Sequence, residues 1–334
     1  MEPSIRAIAV HDVDAALLAG WPLPWPSADG DKELRGHVLI VGGSSEMPGA
    51  IILAATAALR AGAGKLTVAT GTSVAQLVAL AMPEARVIGL REHASDGFSL
   101  EALDSLDPLA DRVDAVLIGP GMRDEAATAA LVHALLPRLD ATQTPVVLDA
   151  CAMGALRRPP RGWPEGMPFR FERPVALTPH AGEMAHLTGA AKADIVAGPD
   201  ALALVCAREW NAVLALKGAR TVIAAPDGVL WQHEGAGNIG LAISGSGDVL
   251  AGIIAGLAAR GAPLAQATCW GVALHARAGD RLAQRMGTLG YLAREISQEI
   301  PALLEQLGAQ GGAGKGTDRP RPVGQEAGAQ APAW

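Results

Sequence analysis

Residues 237–252 read GNIGLAISGSGDVLAG, a glycine-rich loop that runs directly into an apolar helix. Gly245 and Gly247 allow a tight turn, and the apolar run that begins at Asp248 is typical of a buried helix. The first amides of a helix have no intrahelical partner, and the peptide dipoles add partial positive charge there. This stretch therefore predicts an anion site, formed by Gly245, Ser246 and Gly247, that can hold a phosphate without a lysine or arginine.

Asp248 is the unusual residue of this stretch, because a carboxylate beside an anion site repels the anion unless it has another task. We predict that it is a general base, which takes a proton from a substrate hydroxyl while a phosphoryl group arrives over the glycine amides. The alternative is that Asp248 only caps its helix, as acids at helix starts often do. Gly-x-Gly-Asp is a weak motif by itself, so the stretch alone leaves both interpretations open.

The composition narrows the class of protein. The 334 residues are half hydrophobic and include 40 Gly but only 3 Phe and 1 Tyr, so the core must consist mainly of Ala, Val, Leu and Ile. The net charge of −7 argues against a nucleic-acid or anionic-membrane surface. No segment reaches the ~20 uncharged apolar residues of a membrane helix. The three cysteines are widely separated, lack metal-type spacing and would leave an odd thiol if two of them paired. We therefore expect a protein of the reducing cytoplasm.

Strand and helix patterns alternate along most of the chain, beginning with the apolar run at 38–41, a glycine turn and a helical pattern at 50–61. This alternation predicts an α/β fold with a mainly parallel sheet covered by helices on both faces. We expect one catalytic domain over residues 36–307. Residues 1–35, with their Trp/Pro run, are predicted to pack on that domain, the alternative being an interaction arm. Residues 308–334 have the composition of a disordered tail.

Four candidate ligand loops follow or adjoin predicted strands, and loops at the carboxyl ends of parallel strands are where such sheets bind ligands. Asp149 ends one strand and is a candidate for orienting a metal or its waters, or for accepting loop amides only. His180 is a candidate substrate contact or a structural histidine, and Lys217 a phosphate contact or a solvated charge. The loops are 42–45, 119–121, 178–183 and 245–248.

The helical pattern at 263–284 carries several charged or polar residues with helical spacing. Charged side chains on one side of a helix usually face water or another chain. We therefore predict that the side bearing His275, Arg277, Asp280 and Arg281 is solvated or faces a second subunit.

Taken in order, the motifs of residues 36 to about 300 resemble those of the ADP- or ATP-dependent NAD(P)H-hydrate dehydratase family, which has a ribokinase-like α/β fold. The 237–252 stretch is shared with ribokinase-like kinases generally and therefore indicates the superfamily. TPHAGE at 178–183 and KGART at 217–221 narrow the resemblance to the dehydratases. The other matching pieces are GHVLIVGGS at 36–44, AALRAGAG at 57–64, GPG at 119–121 and VLDA at 147–150.

The resemblance implies repair of hydrated nicotinamide cofactors, NADHX or NADPHX, which lose water at the expense of ADP or ATP with Mg²⁺. Asp248 would deprotonate the ring hydroxyl so that phosphate becomes the leaving group. The resemblance also implies a homo-oligomer, for which a tetramer is the expected state. By motif, the residues that would contact the nucleotide are Lys217, Gly218, Ala219, Arg220, Thr221 and Gly247. Those that would contact the hydrated cofactor are Ala50, Gly121, His180 and Asp248. Asn238, Asp149 and Glu183 would support the site, and no residue is assigned to the metal directly.

The chain departs from the family pattern at three places. Cys151 stands where a second acid is usual, Met122-Arg123 where Leu-Gly is usual, and Ala181 where a proline is usual. Two alternative functions therefore stay open. One is a ribokinase-like small-molecule kinase that phosphorylates a vitamin-type alcohol with the same base and anion site, and the other is a nucleotide-binding regulator without turnover.

Overall fold

The strands form where short apolar runs are bounded by glycine or polar residues, as in HVLIV at 37–41 and AVLI at 115–118, which are almost fully buried. The computed structural model describes residues 9–25, 32–93, 95–164, 166–235 and 239–312. The strands of these residues, in chain order, are β1 (Val10–Asp12), β2 (His37–Val41), β3 (Lys65–Gly71), β4 (Arg86–Leu90), β5 (Ala115–Ile118), β6 (Val146–Leu148), β7 (Val175–Leu177), β8 (Ala212–Leu216), β9 (Arg220–Ala224) and β10 (Leu230–Glu234).

All ten strands form one sheet in the order β1-β10-β9-β8-β7-β6-β5-β2-β3-β4. Every neighbouring pair is parallel except β8 with β9 and β9 with β10, which are antiparallel. The strands from β8 to β2 are adjacent and run in the same direction. Their carboxyl ends therefore lie side by side at one edge of the sheet, where loops 42–45, 119–121 and 178–183 begin, whereas loop 245–248 follows the 3₁₀ helix Ile239–Leu241 and not a strand.

Helices cover the two faces of the sheet, as the sequence predicted. Alternate side chains of β2 enter different cores: Val38 and Ile40 pack with one cluster, Leu39 and Val41 with the other. Short 3₁₀ helices span Leu100–Ala102, Ala150–Leu156 and Ile239–Leu241. The α-helices are α1 (Ala15–Gly20), α2 (Pro48–Arg60), α3 (Ala75–Ala81), α4 (Leu103–Ala110), α5 (Glu125–Thr142), α6 (Ala181–Thr188), α7 (Lys192–Ala197), α8 (Pro199–Trp210), α9 (Ser246–Ala259), α10 (Leu264–Met286) and α11 (Ala293–Gly312).

Helices α2 and α9 approach each other unusually closely, because small residues line both. A β-carbon added at Gly252 of α9 would lie 2.1 Å from the carbonyl oxygen of Ala54 in α2. One turn later, a β-carbon at Gly256 would lie 2.5 Å from the carbonyl oxygen of Ala58. Backbone thus packs on backbone along this contact, and it fixes the amino-terminal ends of the two helices relative to each other.

The described part of the amino-terminal region, residues 9–25, packs on the sheet and on α10. Strand β1 extends the sheet beside β10, and Trp21 stacks on Trp231 with ring centroids 5.9 Å apart. The backbone carbonyl of Trp21 accepts hydrogen bonds from Trp270 Nε1 at 2.8 Å and Gln266 Nε2 at 3.0 Å. These contacts favour the packed interpretation of the Trp/Pro run over an interaction arm.

At the other end, α11 continues to Gly312, five residues beyond the predicted boundary at 307. The remainder of the predicted tail, 313–334, lies outside the described residues. A search of the described helices finds none that is both long enough and apolar enough to cross a membrane.

Candidate active site

The first turn of α9 lies at the centre of the candidate site. Gly245 precedes it with φ of 88°, and a β-carbon there would lie 2.5 Å from Leu53 Cδ1, so both the backbone and the space require glycine. The Ser246 amide donates to Ile243 O at 3.3 Å. The amides of Gly247 and Asp248 therefore remain as the first-turn donors without an intrahelical acceptor, and they form the anion-binding end of the helix.

Asp248 is the third residue of α9. The residue whose side chain usually caps a helix is the one that precedes it, and that position is occupied by Gly245. Burial, followed by the charge of Asp149, raises the pKa of the Asp248 carboxyl to about 7, with Glu183 adding to the rise and Lys217 opposing it. A carboxyl with this pKa exchanges protons readily near neutral pH. The position of Asp248 inside the helix and its raised pKa therefore favour the role of general base over that of helix cap.

Lys217 supplies the positive charge of the site. It follows β8, and its amide donates to Pro179 O at 2.8 Å, which ties it to the loop after β7. Its Nζ lies 3.6 Å from Asp149 Oδ1 and 3.8 Å from Glu183 Oε2. A β-carbon added at Gly247 would lie 3.2 Å from the same Nζ. The ammonium group thus lies over the end of α9, where it can contact a phosphoryl group.

Asp149 is buried at the end of β6, with 3% of its surface exposed. Thr178 Oγ1 donates a 2.5 Å hydrogen bond to Asp149 Oδ1, and Lys217 Nζ lies 3.6 Å from the same oxygen, so a hydroxyl and an ammonium group both contact this side of the carboxylate. Within the described residues, no group of three or more His, Cys, Asp or Glu side chains is placed to hold a metal ion. A magnesium ion that arrives with nucleotide phosphates needs only one or two protein carboxylates, and Asp149 and Glu183 meet that requirement.

His180 and Glu183 form a capping box at the start of α6. His180 Nδ1 accepts the amides of Gly182 at 2.9 Å and Glu183 at 3.1 Å, and Glu183 Oε2 accepts the His180 amide at 2.8 Å. Because Nδ1 accepts two bonds, the neutral ring carries its proton on Nε2. Nε2 lies 3.7 Å from Glu183 Oε2, beyond hydrogen-bond distance, and His180 lines the cleft beside it, so this N–H can donate to a ligand there.

The predicted substrate contacts Ala50 and Gly121 lie next to each other. Gly121 has φ of 71°, and a β-carbon there would lie 3.0 Å from Ala50 Cβ and 2.6 Å from Met47 O. Leu53, one turn after Ala50 in α2, contacts the Gly245 turn. The loop after β5, the start of α2 and the start of α9 thus form one continuous wall.

A cleft of about 360 Å³ continues from His180 along the 3₁₀ helix Ala150–Leu156. Cys151 lines it, and its thiol donates to Thr128 Oγ1 at 3.7 Å. Burial raises the pKa of the Cys151 thiol, so it is neutral at pH 7. The cleft therefore has an uncharged thiol at this position. Its remaining lining residues are Glu125, Met153, Gly154, Gly182, Glu183, His186 and Leu187.

A family model described as NAD(P)H-hydrate dehydratase matches residues 38–302. The chain belongs to the NAD(P)H-hydrate dehydratase family. An ADP-dependent (S)-NAD(P)H-hydrate dehydratase from Xanthomonas campestris is 50% identical over 298 residues, which cover 89% of this chain and 97% of that protein. The bifunctional NAD(P)H-hydrate repair enzyme of Moorella thermoacetica is 44% identical over 90% of this chain but only 56% of its own length. The chain thus spans about half the length of such bifunctional relatives.

Solved structures of the dehydratase family share the fold. The ADP/ATP-dependent NAD(P)H-hydrate dehydratase from Bacillus subtilis, co-crystallised with ATP and Mg²⁺, aligns with a TM-score of 0.74 and 30% identity over 90% of this chain and all of its own. A ribokinase-like superfamily protein from Enterococcus faecalis aligns with a TM-score of 0.73 and 27% identity, over 89% of this chain and 96% of its own. The predicted ribokinase-like fold is therefore confirmed.

The structure separates one predicted nucleotide contact from the rest. Arg220 lies in β9, and its guanidinium binds Asp200 Oδ2 at 3.0 Å and Gln232 Oε1 at 2.6 Å. Its neighbours Lys217, Gly218 and Ala219 form the turn before β9, while Thr221 pairs with His233 of β10. Asn238 lies outside the described residues. Arg220 reaches a dehydratase nucleotide only if it exchanges or shares these partners.

His275 corrects an expectation. Its Nε2 lies 3.0 Å from both the hydroxyl and the carbonyl oxygen of Ser246, so it faces α9 and not the solvent or a second subunit. The signal was present in the helical spacing, because His275 shares a face with Ala278, Gly279 and Leu282, which are all buried. Thr178 belongs to the candidate loop 178–183, but its hydrogen bond to Asp149 was not predicted.

Proposed function

We propose that this chain dehydrates NADHX and NADPHX to NADH and NADPH, with ADP as phosphoryl donor and AMP and phosphate as the other products. The observation that carries the proposal is Asp248, a carboxyl with a pKa of about 7, placed beside the Gly247 amide and Lys217. The family assignment and the ADP-dependent relative support the donor and the substrate. The name of that relative further favours the S epimer of the hydrate.

Each residue has a task in this reaction. Asp248 takes the proton from the ring hydroxyl, whose oxygen attacks the terminal phosphorus of ADP as AMP leaves. The Gly247 and Asp248 amides and Lys217 stabilise the charge on the transferring phosphoryl group. The ring C–O bond then breaks with loss of phosphate and of a proton from the adjacent ring carbon, which restores the double bond. Hydroxide is a much poorer leaving group than phosphate, which explains the need for a donor.

Magnesium bound to the donor phosphates would neutralise their charge. Asp149 and Glu183 are the carboxylates that would hold it, directly or through water. Lys217 Nζ lies within 4 Å of both carboxylates in their present arrangement. The lysine would therefore have to share these two carboxylates with the metal.

The proposed enzyme would act in the cytoplasm as a homo-oligomer, a tetramer by analogy with its family. All three cysteines are free, which agrees with a reducing compartment. Light scattering on the protein as it elutes from a size-exclusion column would measure the subunit count directly.

The deciding assay is incubation of the purified protein with (S)-NADHX or (S)-NADPHX, Mg²⁺ and either ADP or ATP, monitored by the return of NADH absorbance. We expect recovery with ADP and release of one phosphate for each cofactor restored. A stable phosphorylated product without recovery would support the kinase alternative. Nucleotide binding without turnover on any hydroxyl substrate would support the regulator.

The pH dependence of this reaction tests the role assigned to Asp248. A base works only when ionised, so a pKa of about 7 in the free enzyme predicts that kcat/KM falls about tenfold per pH unit below pH 7 and levels off above it. Lys217 lowers the pKa of Asp248 and Glu183 raises it, so Lys217→Met should move the inflection to higher pH and Glu183→Gln to lower pH. A flat kcat/KM between pH 5 and 8 would contradict this assignment.

A further inference from the structure

A half-buried histidine of α10, His275, contacts the anion-binding turn at Ser246. His275 lies on the face of α10 that packs against α9, where a β-carbon at Gly271 would lie 2.6 Å from Ile254 Cγ1. Its Nε2 lies 3.0 Å from Ser246 Oγ and 3.0 Å from Ser246 O. No step of the mechanism above uses this side chain.

The chemistry of the contact fixes the direction of the hydrogen bond. A backbone carbonyl oxygen only accepts, so Nε2 must carry the proton that it donates to Ser246 O. Burial lowers the pKa of His275 to about 4, which keeps the ring neutral at pH 7 with one N–H. The nearby charge of Lys217 acts in the same direction. That single N–H is therefore committed to Ser246.

The hydrogen bond from His275 restrains the backbone at the start of α9. Ser246 stands between Gly245 and Gly247, and glycine restricts its backbone less than any other residue. A phosphoryl-binding turn must nevertheless hold its amides to within about half an ångström of the productive geometry. The imidazole anchors the one residue between the glycines to a second helix.

We propose that His275 is a positioning residue, which holds Ser246 so that the amides of Gly247 and Asp248 and the Asp248 carboxylate keep the geometry needed for phosphoryl transfer. This inference rests on the proposed function. It predicts an effect on the chemical step rather than on binding, because the imidazole acts on the turn through Ser246.

The test compares two amide variants. The side-chain nitrogen of glutamine reaches the position of Nε2, whereas that of asparagine reaches only that of Nδ1. We expect His275→Asn and His275→Leu to lower kcat about 10- to 100-fold with KM for the hydrated cofactor changed less than threefold, since small misplacements of reacting groups cost about this much. We expect His275→Gln to stay within about fivefold of the wild-type kcat.

His133→Leu is the matched control, because it also removes bonds from a half-buried imidazole to backbone carbonyls, those of Ala155 and Arg158, away from α9. It should leave kcat unchanged. Equal kcat for His275→Gln and His275→Asn, or losses that follow the melting temperature in all variants, would overturn the proposal.

A second readout separates this proposal from the proposed function. Amide hydrogen exchange over residues 245–248 should be faster in His275→Asn than in His275→Gln, and this measurement needs no substrate. An inactive wild-type protein would refute the dehydratase, while equal exchange in the two variants would refute the positioning role.

Discussion

Replacement of Asp248 by asparagine is expected to lower the dehydration rate by about 10²–10⁴-fold, the usual cost of losing a general base. The amide keeps the size of the carboxyl but accepts no proton from the ring hydroxyl. Nucleotide binding should persist, because the Gly247 and Asp248 amides and Lys217 remain. Single-turnover measurements with (S)-NADHX and ADP, together with the ADP dissociation constant, would test both expectations.

The same variant should be at least as stable as the wild type. The Asp248 pKa is raised from 3.8 to about 7 in the folded protein, so the folded state binds this proton more tightly than the unfolded state. The wild type therefore loses stability as the pH rises from about 4 to about 7 and carries the full cost above it. Asparagine carries no such cost, as is often found when a catalytic group is removed.

Asp124→Asn is the matched control for the rate, since Asp124 also stands at a helix start, where its carboxylate accepts the Ala127 amide at 2.9 Å and a hydrogen bond from the Ser95 side chain. Asparagine caps a helix about as well as aspartate, so the rate should match the wild type. An Asp248→Asn enzyme that works at the wild-type rate would remove Asp248 from the mechanism.

Gly252→Val is expected to destabilise the protein by about 3 kcal/mol or more, because overpacking a rigid contact forces the backbone apart. The added β-carbon would lie 2.1 Å from Ala54 O and 2.8 Å from Ala54 Cα, neither of which can rotate away. Separation of α9 from α2 would also move Asp248 away from Ala50. Urea unfolding midpoints would measure the loss, and residual activity at low temperature would show the displacement.

Gly49→Ala, in the facing helix, is the control for this substitution, because a β-carbon there meets nothing within 4 Å. Alanine should be neutral or slightly stabilising at this helical position. A Gly252→Val protein within 1 kcal/mol of the wild type would mean that the two helices are not held as closely as described.

The α/β fold could be predicted from the sequence because buried parallel strands and apolar helices have distinctive local patterns of hydrophobic residues. The helical patterns predicted at 50–61 and 263–284 match α2 (Pro48–Arg60) and α10 (Leu264–Met286) to within two residues at each end. Strand β1 was not predicted, since its residues Val10–Asp12 are exposed and only pairing with a strand about 220 residues away makes them a strand. Helix α4 was missed as well, because Pro108 interrupts its pattern.

The candidate site was predictable as a set of strand ends but not as a set of contacts. The position of Lys217 between Asp149 and Glu183 depends on the order of β6, β7 and β8, which no local pattern contains. Arg220 and Thr221 are adjacent in one motif, yet neighbouring residues of a strand point to opposite faces. A motif therefore indicates which residues to examine, and the fold decides which of them meet.

The docking of residues 9–25 has a consequence for the synthesis of the chain. This segment leaves the ribosome before the groups that hold it, which belong to β10, Arg260, Gln266 and Trp270. At translation rates of about 5–20 residues per second, the segment waits about 10–50 s for partners that lie about 220 to 250 residues later. During that interval Trp21, Leu18 and the edge of the sheet are uncovered, and they are the surfaces on which a chaperone would act.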